Sequence, residues 1–275
     1  MIAKRFLVSV VACLVTAPAI AHDWRVQSFG SDPNNVVMPA VLDAFRFYAE
    51  PASVWYLEQL NGALVPYNKF MIFHGELSRA TYAAFEYTFM QNGRNRTRIY
   101  YAMSGPNDPR TGLAGAPPHL SSYVVEDATR VYSFASSADR TTLMATQLED
   151  EPSSAIHARD AEFKALRTIE RDIQRHTVTR GGTLHAFISQ PMCDSCEHVM
   201  HRFSDIYGVD INVNHLEGNM SESYYRFRGV VQGFLNTLLV RVRGAARPAP
   251  GTGQGPGPGP TPPPPAGMCA RIFAE

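Results

Sequence analysis

The sequence predicts a layered α/β/α fold on a mixed sheet, and three observations predict it. Asp160-Ala161-Glu162 opens a run with Phe163, Leu166, Ile169 and Ile173 at helical spacing. Cys193-Asp194-Ser195-Cys196 opens a second such run, with Val199, Met200 and Phe203. Between them Thr183 to Ile188 is a short apolar stretch ended by Pro191, the pattern of a strand. Helix, strand and helix in that order imply crossover connections, with both helix N-termini at the carboxyl edge of one sheet. Two thiols and two carboxylates, far apart in the chain, then converge at that edge.

The elements follow in order. Residues 1–21 read as an export signal, with Lys4 and Arg5 as the charged start, Phe6 to Val15 as the apolar stretch and Ala19-Ile20-Ala21 as the cleavage site. A lipoprotein signal ending at Cys13 is the alternative for this leader. Residues 22–90 form a mainly helical region, with helices expected over Val54 to Leu60 and over Ser78 to Met90, where Asn92-Gly93 breaks the pattern. Residues 91–244 form the main domain. Arg98 to Met103 and Arg130 to Phe134 read as strands, joined by a long loop rich in Pro and Gly.

After the second motif Gly208 stops the helix, and Val209 to Val213 alternates as a strand. A further helix is expected from Ser221, carrying Tyr224, Phe227, Val231 and Phe234, and Leu238 to Arg243 is expected as a last strand. Residues 245–275 turn abruptly to Pro and Gly and read as a disordered tail, ending in the apolar cluster Met268 to Phe273.

Composition narrows the function classes. The chain of 275 residues is 45% hydrophobic, enough for a substantial core, and carries 25 basic and 25 acidic residues. Loss of Lys4 and Arg5 with the leader leaves 23 basic residues against 25 acidic, which argues against a large non-specific polyanion binder. The processed chain keeps Cys193, Cys196 and Cys269, too few for a closed disulfide framework. The Cys193 and Cys196 pair can be a disulfide in an oxidising compartment or two thiolates on a metal.

Two stretches carry a family resemblance: Arg159-Asp160-Ala161-Glu162-Phe163-Lys164-Ala165-Leu166, and Pro191-Met192-Cys193-Asp194-Ser195-Cys196-Glu197-His198-Val199-Met200, followed by Phe203 and the strand to Val213. This order resembles the cytidine deaminase-like fold, in particular the bacterial toxin deaminases of nucleic acids and nucleotides. It covers roughly residues 95–244 and is specific over 159–213. The resemblance implies Zn2+ held by Cys193, Cys196 and Asp160, with Glu162 as the proton-transferring residue in hydrolytic loss of ammonia from a nucleobase, cytosine ahead of adenine. His157 is the alternative metal ligand. It also implies a nucleic acid or nucleotide substrate. The export signal on such an enzyme fits a periplasmic or secreted toxin delivered to a target cell, with a cognate immunity protein as the expected partner. Aspartate stands where the family places His or Cys, and Met192 separates Pro191 from the first cysteine.

Other readings stay open beside this one. Asp160-Ala161-Glu162 is also what an acidic first helical turn looks like, since anions there offset the helix dipole. Cys-x-x-Cys at a helix start also describes an exported thiol-disulfide oxidoreductase, although no proline occurs from residue 192 until Pro248 to supply the cis-proline such sites use. An inactive binding domain on the same fold is a third class. Tyr224, Arg226 and Arg228 are candidate substrate contacts that can stack on and steer a single strand; as aromatics and arginines on a helix they also suit ordinary packing.

Overall fold

Among the described residues, the computed structural model gives eleven strands and α-helices in this order. They are β1 (Trp24–Phe29), α1 (Val37–Leu60), α2 (Tyr67–Arg79), β2 (Tyr82–Gln91), β3 (Arg94–Met103), β4 (Arg130–Tyr132), α3 (Ala161–Gln174), β5 (Thr183–Ile188), α4 (Asp194–Tyr207), β6 (Asp210–Leu216) and α5 (Glu222–Ala245). The structure describes residues 22–32, 35–60, 67–107, 127–136, 140–149, 153–218 and 220–245. The expected leader with Cys13, most of the long loop after Met103, and the tail with Met268 to Phe273 lie outside the described residues.

The strands form one six-stranded mixed sheet in the order β1-β6-β5-β2-β3-β4. Strands β1, β6 and β5 are parallel, β2 is antiparallel to both β5 and β3, and β4 is parallel to β3. Alternate residues of β2 feed two cores. Tyr82 and Ala84 pack with Phe45, Phe73 and Phe227 from α1, α2 and α5. Ala83, Phe85, Tyr87 and Phe89 pack with Leu166, Ile169, Met200 and Phe203 from α3 and α4. The result is a three-layer α/β/α arrangement with the sheet in the middle.

That double burial corrects the helix expected over Ser78 to Met90, which is the end of α2 followed by β2. A strand covered on both faces loses the apolar-polar alternation that would mark it, so its run of aromatics and alanines reads like a buried helix. Asn92 and Gly93, with φ of 52° and 72°, form the two-residue turn between β2 and β3. Positive φ at both central residues is the conformation a tight hairpin requires, and Asn-Gly supplies it. The region 22–90, expected as mainly helical, holds α1 and α2 but also β1 and β2, so it shares the sheet with residues 91–244.

Two further expectations change. Val54 to Leu60 is only the last part of α1, and the last strand expected over Leu238 to Arg243 is helix. Phe227, Val231, Leu235, Leu238 and Val242 continue one apolar face of α5 against the core, so packing carries the helix past Gly229 and Gly233. Among the described residues no helix is long and apolar enough to cross a membrane.

Crossovers of this kind put the N-termini of α1, α3, α4 and α5 at one edge of the sheet, where β1, β3, β5 and β6 end. Glycine is required just before β5. Gly182 has φ of +94°, and a Cβ there would sit 2.2 Å from the Thr88 carbonyl oxygen of β2. Gly182→Ala is therefore expected to cost about 1–3 kcal/mol in urea unfolding. Gly229→Ala, on an open face of α5, is expected to stabilise by up to about 1 kcal/mol.

Candidate metal centre

A single 3-10 turn, His157–Arg159, leads into α3 with Asp160 in the capping position. Asp160 has the extended backbone of an N-cap (φ −69°, ψ 145°), yet its side chain makes no capping hydrogen bond. Its carboxylate turns instead into the protein, where His157 Nδ1 lies 2.8 Å from Asp160 Oδ2. Cys193 occupies the same position at the start of α4, and Cys196 follows in its first turn. The ordinary capping reading of Asp160 is therefore not the geometry adopted.

These side chains meet. Asp160 Oδ2 lies 3.7 Å from Cys193 Sγ and 3.5 Å from Cys196 Sγ. The two sulfurs are 3.1 Å apart as free thiols, and Cys193 Sγ is 4.0 Å from His157 Nδ1. His157, Asp160 and Cys193 form a buried cluster able to hold a metal ion. Bond lengths of about 2.0–2.3 Å in a tetrahedral site place neighbouring donor atoms about 3.3–3.8 Å apart. Both contacts of Asp160 with the thiols match that spacing, while the 3.1 Å between the sulfurs is shorter than the about 3.8 Å that two thiolates on one zinc keep, so the pair must open to bind it. The contact of Asp160 with His157 has hydrogen-bond length, and a His157 that donates from Nδ1 would fix the carboxylate.

Glu162 faces the same space. It is 1% exposed, and its carboxylate has the Cys196 thiol as a hydrogen-bonding neighbour. Burial first, then the Asp160 carboxylate and Cys193, hold its pKa well above the ordinary glutamate range, against a lowering contribution from the Cys196 thiol beside it. Burial and Cys193 push Asp160 up to about 6, against the lowering hydrogen bond from His157. Asp160 Oδ1 is also buried without a partner. Two buried carboxyl groups beside two thiols at the positive end of α4 form an electron-rich pocket that a cation fits.

The surroundings fix and seal this pocket. Lys164, on the next turn of α3, donates from Nζ to the carbonyls of Met103 at 2.9 Å and Gly105 at 2.6 Å, tying α3 to the end of β3. The segment after β4 runs across α3. Phe134 N–H donates to Thr168 Oγ1, Arg167 donates to the Ser136 carbonyl, and Thr142 N–H donates to Glu170. Ser195 Oγ donates to the Thr146 carbonyl at 2.8 Å and closes the segment onto α4. Burial raises the Glu170 pKa, but the hydrogen bonds from Thr141, Thr142 and Tyr207 outweigh it and hold the carboxyl below its ordinary range.

The three candidate substrate contacts lie on α5, in the layer across the sheet from α3 and α4. Tyr224 is buried, Arg226 exposed and Arg228 half-buried. Gln190 was missed by the sequence reading; its amide oxygen accepts from Thr81 Oγ1 at 3.1 Å and its side chain lies beside the Tyr224 hydroxyl. The signal was its place at the carboxyl end of β5, directly before Pro191. Lys164 was also missed, and a lysine that is 2% exposed on α3 leaves no trace in a pattern read from hydropathy. No family model matches the chain, and no curated protein matches it.

Two measurements test this geometry. His157→Asn keeps a donor for Asp160, so one equivalent of metal per chain is expected to remain with affinity weakened about 10–100-fold; loss of stoichiometric metal would make His157 a ligand. The second is pH. Asp160 has a folded pKa raised above its unfolded value of 3.8, so its stabilising contribution in metal-free protein is complete below about pH 4 and is lost as pH rises through about 6. The melting temperature of metal-free protein should therefore fall over that window, and fall less in Asp160→Asn.

Proposed function

We propose that this protein is a zinc-dependent hydrolytic deaminase of a nucleobase, cytosine ahead of adenine, carried in nucleic acid or a nucleotide. The observation that carries the reading is the Glu162 carboxylate, fully buried beside Asp160, Cys193 and Cys196. A thiolate pair with a carboxylate favours zinc over magnesium or calcium, which take oxygen donors. When bound, zinc brings the pKa of a coordinated water to about 7.

The residues divide the remaining work. Cys193, Cys196 and Asp160 hold the ion, and His157 orients Asp160 through its Nδ1–H. Glu162 takes a proton from the attacking water and delivers protons to the ring nitrogen and the departing amine. A C–O bond forms, the C–N bond breaks and ammonia leaves. A carboxyl whose burial raises its pKa suits both halves of that transfer, because it is basic enough to accept and acidic enough to return the proton. The burial of Asp160, Glu162, Cys193 and Cys196 keeps bulk water from the reacting centre.

The leader expected over residues 1–21 supports export. An exported deaminase finds substrate in another cell, so a toxin or effector role follows, with a cognate immunity protein protecting the producer. A thiol-disulfide oxidoreductase is the second reading, favoured by the 3.1 Å separation of the thiols at a helix start. That reading leaves the buried Asp160 and Glu162 without a role. Glu162→Gln decides: ammonia release from single-stranded nucleic acid or nucleotides is expected to fall by about 10²–10⁴-fold while zinc stays stoichiometric. Unchanged release, or a metal-free protein cycling between dithiol and disulfide, contradicts the proposal.

A further inference from the structure

We infer that Arg228 and Tyr224 form an anion subsite that receives a phosphate group of the substrate. The inference rests on reading the neighbouring centre as one that acts on a nucleobase. Helix α5 begins at the same sheet edge as α3 and α4, and the turn before it packs on the cysteine loop: a Cβ at Gly218 would lie 3.5 Å from Pro191 Cγ. Pro191 is two residues from Cys193. The first turns of α5 therefore stand across the sheet edge from the thiols.

Two polar groups there are buried. The Tyr224 hydroxyl, in a residue 3% exposed, has the Gln190 side chain as its hydrogen-bonding neighbour. One turn on, the Arg228 guanidinium carbon is 6.0 Å from the centre of the Tyr224 ring, and its Nη1 is buried with no acceptor. Among the described residues no carboxylate pairs with Arg228, and its electrostatic neighbours are the neutral hydroxyls of Tyr82 and Tyr224. Withdrawing a guanidinium nitrogen from water without an acceptor is costly. A phosphate repays that cost with paired oxygens matching the guanidinium fork, and a further oxygen can accept from the tyrosine hydroxyl. The processed chain is near neutral, so this is a local site and not a general polyanion surface.

The phosphate can be the terminal group of a nucleotide or a diester within a strand. Both are tested by titration calorimetry on the zinc-loaded full chain carrying Glu162→Gln, which blocks turnover. The probes are cytidine, cytidine 5′-monophosphate and a short single-stranded oligodeoxycytidylate. One phosphorylated probe is expected to bind at least tenfold tighter than cytidine, with inorganic phosphate competing; which probe does so identifies the source. Arg228→Gln should erase that advantage and leave cytidine binding unchanged, Arg228→Lys should retain part of it, and Tyr224→Phe should reduce it. An advantage that survives Arg228→Gln, or none in the parent, overturns the inference. The two proposals fail separately. Arg228-dependent phosphate binding without ammonia release keeps the subsite and removes the deaminase, whereas equal deamination of cytidine and its phosphorylated forms does the reverse.

Discussion

Burying carboxylates is among the costliest arrangements a fold can hold, and this one buries two, Asp160 and Glu162, against a pair of thiols. Proton uptake relieves part of that cost, which is why burial raises both pKa values. A cation at the same point relieves more, because it converts mutual repulsion among carboxylates and thiolates into shared attraction. The organisation of the sheet edge follows from keeping these four groups together and dry.

Each layer contributes to that end. Strand β5 fixes the start of α4 and hence both thiols, while Lys164 pins α3 to the carbonyls ending β3 and so sets the height of Asp160 and Glu162. The described residues following β4 are anchored to Thr168, Glu170 and Ser195, so they hold to α3 and α4. On the other face the turn before α5, at Gly218, packs on Pro191, two residues from Cys193.

The convergence of Asp160, Glu162, Cys193 and Cys196 was legible because helix-strand-helix order alone brings successive helix starts to one edge. His157 was legible only as an alternative ligand, since its distance from Asp160 depends on a turn with no sequence signature. Strand β2 was not legible, because burial on both faces erases alternation. The end of α5 was misread for a related reason: glycines at 229 and 233 lower intrinsic helix preference, and only the core formed with α1 and α2 overrides them. Strand β1 escaped notice because most of its side chains are exposed, leaving no apolar pattern to read.

X-ray absorption at the zinc edge on the purified full chain tests the central claim most directly. Two sulfur neighbours at about 2.3 Å and oxygen or nitrogen neighbours at about 2.0–2.2 Å are the result expected of thiolates, a carboxylate and water around one ion. A protein purified without stoichiometric metal, or one whose zinc has no sulfur neighbours, contradicts the account.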